Sequence, residues 1–142
     1  MKKSMFIYAL FLSLFIYSGF VAAEVKIVAH PSLKDASLTK EVAAKLFLGK
    51  VSNFPSGTKA IPIDQETGEE ARDEFYQKVT NKTAAQLKSY WSRLIFTGQA
   101  LPNKRVLDDD EVMELIIANP NLVGYVSGDM DTTGAKVLFS MP

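Results

Sequence analysis

The chain has 142 residues with 16 basic and 16 acidic side chains, one histidine and no cysteine. Such a balance argues against nucleic acid, which calls for a basic face, and against attachment to an anionic membrane. Without cysteine no disulfide can brace the fold, so a hydrophobic core must hold it together.

The first element is a targeting segment. Lys2 and Lys3 precede the apolar run MFIYALFLSLFIYSGF, and Val21-Ala22-Ala23 places small residues where a signal peptidase cuts. This predicts a cleaved export signal over residues 1–23 and a periplasmic protein. A retained anchor is the competing reading, at the lower edge of spanning length. Residues 24–142 then form one domain of 119 residues, with 14 basic against 16 acidic side chains.

VKIVAH (Val25 to His30) alternates and is rich in β-branched residues, which predicts a strand ended by Pro31. SLTKEVAAKLFLGK predicts a helix with Ser37 as N-cap, Leu38, Val42 and Leu46 on one stripe, and Gly49 as its stop. NFPSG is a turn, and KAIPID a short strand that Pro62 confines to an edge or a strand end. A helix from Glu69 to about Val79 is expected to bury Ala71, Phe75 and Val79, with Asn81 breaking it. TAAQLKSYWSRLIF predicts a third helix, opened by a Thr83–Gln86 capping box, with Leu87, Trp91, Leu94 and Ile95 on one face. GQALPNKR reads as loop, and DDDEVMELIIAN as a helix capped by Asp108 and closed by Asn119-Pro120. Two strands, LVGYVS and AKVLF, end the chain around a polar turn from Gly128 to Gly134.

Strands separated by helices predict an α/β fold with a small, mixed, mostly parallel sheet flanked by helices. Ligands of such sheets gather beyond the carboxyl ends of the strands, which singles out the loops HPSLKDAS and DQETGE. In the second loop Asp64, Gln65 and Thr67 offer polar atoms, Gly68 permits close backbone approach, and Arg72 can grip an oxyanion in a fork. The alternative is a self-sufficient helix start, with Thr67 as cap and Glu69 and Glu70 complementing the dipole. DMDTTG opens like a calcium loop, but its twelfth position is Ser140 and strands flank it, so it reads as a turn. The acids of DDDE are ordinary first-turn dipole partners rather than a metal cluster. His30 has no nucleophile motif to serve, and no carboxylate pair stands out for glycoside chemistry. The residues point to no catalytic group, metal or cofactor.

KLFLGKVSNFPSGTKAIPIDQ, ARDEFYQKV, YWSRLIFTG and NPNLVGYVS, in that order, resemble the phosphate-binding proteins of bacterial ABC transporters from about Leu46 to Ser127. The resemblance implies the fold of a periplasmic binding protein, a small inorganic anion as ligand and an ABC permease as partner. Transport members are two-lobed clamps of about twice this length, so the chain corresponds to one lobe. The family's Ser-Gly-Thr phosphate cradle aligns with TGEE: Thr67 and Gly68 keep a hydroxyl and a glycine, while Glu69 stands where a hydroxyl donor is expected. Arg72 takes the place of an arginine that often follows the cradle. Phosphate or a similar oxyanion would then be held by Thr67, Gly68 and Arg72, helped by Ser32 from the neighbouring loop. The alternative is an adaptor in an envelope assembly, its ligand edge blocked by Glu69 and Glu70. Two copies meeting to rebuild a two-lobed cleft is a further expectation.

Overall fold

The computed structural model describes residues 24–142, so the export signal expected over residues 1–23 lies outside the described residues. Nine elements follow: β1 (Val25–Ala29), α1 (Lys40–Phe47), β2 (Ile61–Gln65), α2 (Glu70–Thr80), α3 (Ala84–Phe96), β3 (Lys104–Val106), α4 (Asp109–Ala118), β4 (Leu122–Ser127) and β5 (Lys136–Met141). They form one sheet in the order β3-β2-β4-β1-β5. β2 runs parallel to β3 and β4, whereas β1 runs antiparallel to both of its neighbours, β4 and β5. Four strands therefore point one way and β1 alone points back.

The strand pattern places side chains on both faces. Val25, Ile27 and Ala29 of β1, Val123 and Tyr125 of β4 and Leu138 of β5 pack with Phe47, Phe75, Tyr76, Leu87 and Trp91 from α1, α2 and α3. Val28, Ile63, Val106 and Val126 face the other way, against Val112, Met113 and Ile116 of α4. The alternation is the period-two geometry of a strand buried on both sides. Gly124 sits at a close approach of β4 to α4, where a Cβ would come within 2.8 Å of Val112 Cγ1. The glycine of LVGYVS is thus a contact requirement between β4 and α4.

Several local expectations shift. α1 starts at Lys40 with Thr39 as N-cap, accepting from Val42 N–H at 3.2 Å, so Ser37 is not the cap. The run ALPNKRV is not all loop: Lys104–Val106 forms an edge strand by pairing with Ile63–Gln65. Pro62 is tolerated beside it because pairing to β3 begins only at Ile63. α2 starts at Glu70 and buries Arg72, Phe75, Tyr76 and Val79, while Ala71 is only half-buried. Asn81 ends α2 in the left-handed region, φ 55°, as its helix-breaking role requires. α3 keeps its capping box, but Ile95 lies exposed rather than on the buried face.

Candidate functional site

The carboxyl ends of β2 and β4 open into a cleft of about 800 Å³ bounded by the first turns of α2 and α4. Gln65 and Ser127 from the strand ends lie at its base, and Val25, Ala71, Met130 and Pro142 add apolar surface. Eight carboxylates line it: Glu24, Glu69, Glu70, Glu74, Asp108, Asp109, Asp110 and Asp129. Among the described residues no lysine or arginine does. Two helix N-termini meet there, a geometry that ordinarily favours an anion, and the chain surrounds both with its own negative charge.

One carboxylate is tied into the framework. Asp109 accepts from Gln65 Nε2 at 2.8 Å, from the Ser127 N–H at 3.2 Å and from the Ser127 hydroxyl. Gln65 Nε2 also donates to the Tyr125 carbonyl at 3.0 Å. These bonds fasten the α4 N-terminus to the ends of β2 and β4. Asp108 caps the same helix by accepting from Glu111 N–H at 3.0 Å. The DDDE acids thus act partly as the dipole partners that the sequence suggested and partly as a latch.

Arg72 goes elsewhere. It is 4% exposed, its Nε lies 3.4 Å from Asp64 Oδ1, and its guanidinium sits 5.3 Å from the centre of the Tyr76 ring. Asp64 Oδ1 already accepts from Gln65 N–H at 2.9 Å and from the Tyr125 hydroxyl, and Tyr76 donates to Oδ2 at 2.9 Å. With Oδ1 so occupied, Arg72 Nε forms an ion pair but no hydrogen bond. Burial, and next the Asp64 charge, push the Tyr76 and Tyr125 hydroxyls well above the usual tyrosine pKa. Both phenols therefore remain donors to the carboxylate. Asp64, Arg72, Tyr76 and Tyr125 form a buried clasp between β2, α2 and β4, and none of the four lines the cleft.

The four residues expected to hold an oxyanion do not converge. Thr67 accepts from Arg105 Nη1 at 2.8 Å, and the same nitrogen is 3.9 Å from Glu66. Gly68 has φ +99° and open space where a Cβ would stand, so it serves the turn. The α2 N-cap is Glu69 rather than Thr67, and its side chain makes no capping hydrogen bond. Ser32 is bound locally, its Oγ 2.7 Å from His30 Nδ1. It is also at the wrong end of the sheet. Ala29 pairs with Val123, which is level with Pro62 at the start of β2, whereas the cleft lies beyond Gln65 at its end. Because β1 runs antiparallel, HPSLKDAS and DQETGE occupy opposite edges, contrary to the expectation that they are neighbours.

Tyr76, Tyr125 and Arg105 are interacting residues that the sequence did not single out, and Asp109 was singled out only as a first-turn acid of DDDE. Only helix phase could have signalled Tyr76, which lies one turn from Arg72. Arg105 and Tyr125 reach their partners through strand pairing.

No family model and no curated protein matches the chain. Solved structures do. A putative phosphate ABC transporter substrate-binding protein with bound phosphate from Clostridium perfringens superposes with TM-score 0.64 at 17% identity, over 82% of this chain and 44% of that one. An ABC-type phosphate transport receptor from Vibrio cholerae and PstS from Borrelia burgdorferi each give TM-score 0.64 at 18% identity, over 82% of this chain and 46% of theirs. The chain has the phosphate substrate-binding-protein fold. It spans less than half the length of these phosphate substrate-binding proteins. Within that fold the cleft described above is bordered by carboxylates, and the arginine nearest the α2 start is turned inward.

Proposed function

We propose that this chain is a non-catalytic interaction module of the bacterial envelope, built on one lobe of the substrate-binding-protein fold, whose anion socket is degenerate. The observation that carries this reading is the lining of the cleft: among the described residues, eight carboxylates and no cation around two helix N-termini. A unit negative charge about 8 Å from an anion in water disfavours it by about 0.5 kcal/mol, and several such charges act together. Arg72 supplies no counterweight, because its charge is paired with Asp64 inside the fold. Location in the periplasm, export by residues 1–23 and a single domain over residues 24–142 belong to the same proposal.

The reading of a phosphate receptor has one observation in its favour, the shared fold with a structure that holds phosphate. Calorimetry with phosphate, sulfate and a small carboxylate separates the two. The interaction module gives no heat with any of them, and a Glu69→Ser, Glu70→Thr double variant creates or strengthens phosphate binding by removing two of the repelling charges. Tight phosphate binding by the unaltered chain, weakened by Thr67→Val, would instead restore the receptor and its ABC permease partner.

A further inference from the structure

Charge is segregated along this chain. No aspartate or glutamate occurs between Phe75 and Leu107, a stretch that carries Lys78, Lys82, Lys88, Arg93, Lys104 and Arg105. α3 lies in the middle of it and buries only Leu87 and Trp91. Its outward half presents Lys88 and Arg93, and Lys82 stands just before its N-cap, 5.2 Å above the Tyr90 ring. Lys82, Gln86, Ser89, Tyr90 and Arg93 share one shallow depression, with no carboxylate among the described residues that line it.

Exposed apolar side chains follow at the C-terminal end of α3 and just beyond it. Phe96, the last residue of α3, is 92% exposed and Leu101 is 86% exposed, the two largest values among the exposed large hydrophobic residues described. Ile95 beside Phe96 is 46% exposed. The segment between them is tied down: Gln99 and Ala100 N–H donate to the Leu94 carbonyl at 2.9 and 3.4 Å, closing the helix end just ahead of Leu101. α3 contributes no residue to the acidic cleft.

We infer that the outward face of α3 docks peripherally on an anionic lipid bilayer. Headgroup phosphates complement Lys82, Lys88 and Arg93, and the acyl boundary takes Phe96 and Leu101. A fluid interface accepts projecting side chains without a shaped counter-surface. The eight cleft carboxylates all lie on elements other than α3, so the two signs of charge are carried by different parts of the fold. Contact is peripheral, since no helix among the described residues is long and apolar enough to cross a membrane. Near neutrality of the whole chain conceals this face.

The test is vesicle co-sedimentation of the exported chain, residues 24–142, comparing phosphatidylcholine alone with phosphatidylcholine mixed with phosphatidylglycerol. Leaving out residues 1–23, as the proposed export requires, keeps their apolar run and Lys2 and Lys3 from binding the vesicles on their own account. The expected result is partitioning about tenfold stronger onto the anionic vesicles, abolished by high salt. Lys88→Glu with Arg93→Glu should erase that preference. Phe96→Ser with Leu101→Ser should weaken anionic binding while leaving its salt dependence. All four positions are exposed, so unchanged circular dichroism and melting confirm that the variants fold. Equal partitioning of the unaltered chain onto both vesicles would overturn the inference, as would an undiminished preference in the charge-reversed variant. So would absence from vesicles together with self-association, seen by velocity sedimentation, that charge reversal removes; the face would then belong to a second copy.

Discussion

Arg72 shows how the phase of one helix decides a residue's role. A start at Glu69 and a stripe of Ala71, Phe75 and Val79 would leave Arg72 beside the buried face. The helix starts at Glu70 and buries Arg72, Phe75, Tyr76 and Val79, which carries the guanidinium inward to Asp64. A buried charge must be paired, and removing one member leaves the other stranded. Arg72→Ala should therefore lower the unfolding free energy by about 3–5 kcal/mol, read from urea denaturation. Wild-type stability in that variant would mean that the guanidinium is solvated and available to a ligand. The arginine itself was legible in the sequence as the sharpest polar candidate. Its partner was not, because Asp64 lies on β2 and nothing local distinguishes pairing with Asp64 from pairing with a neighbouring glutamate.

At the scale of elements, three of the four helices start on a side-chain cap: Thr39, Thr83 and Asp108. α2 starts on Glu69, whose side chain makes no such bond. Thr83→Ala should lower stability by about 1 kcal/mol, because it removes one half of the reciprocal Thr83–Gln86 capping box. Glu69→Ser should raise it by about 0.5–1 kcal/mol by supplying the missing acceptor. Thermal unfolding of both variants checks the pair of signs. The caps of α3 and α4 were legible because capping chemistry spans only one turn. β3 was not, since three residues become a strand only when β2 lies beside them. Ile95 was misplaced for a related reason: helical spacing defines a stripe, but the neighbours of α3 bury Leu87 and Trp91, cover Tyr90 and Leu94 in part, and leave Ile95 exposed.

At the scale of the molecule, the clasp makes stability depend on pH at the alkaline end. Tyr76 and Tyr125 titrate higher in the folded chain than the ordinary value of about 10, first because they are buried and then because they face Asp64. Above that pH the unfolded chain releases protons that the folded chain keeps, so stability falls as pH rises. The contribution is fully present below pH about 10. Absorbance titration should show these two phenols ionising only with unfolding, and Tyr76→Phe should flatten part of the alkaline decline. Ionisation of both in the folded state near the ordinary value would remove the clasp from the account.

What the sequence determined by itself was the kind of each main element, several of their ends, the resemblance to phosphate-binding proteins and the acid-free tract around α3. These depend on periodicity, capping and composition, which act within a turn or along a continuous stretch. Tertiary structure decided the site. It inserted β1 antiparallel, which sent Ser32 to the far edge, and it paired Val25 with Ser127, bringing Glu24 to the same cleft as Asp129. The lining of that cleft comes from chain segments about a hundred residues apart, and only strand direction and pairing across the sheet could bring their charges together.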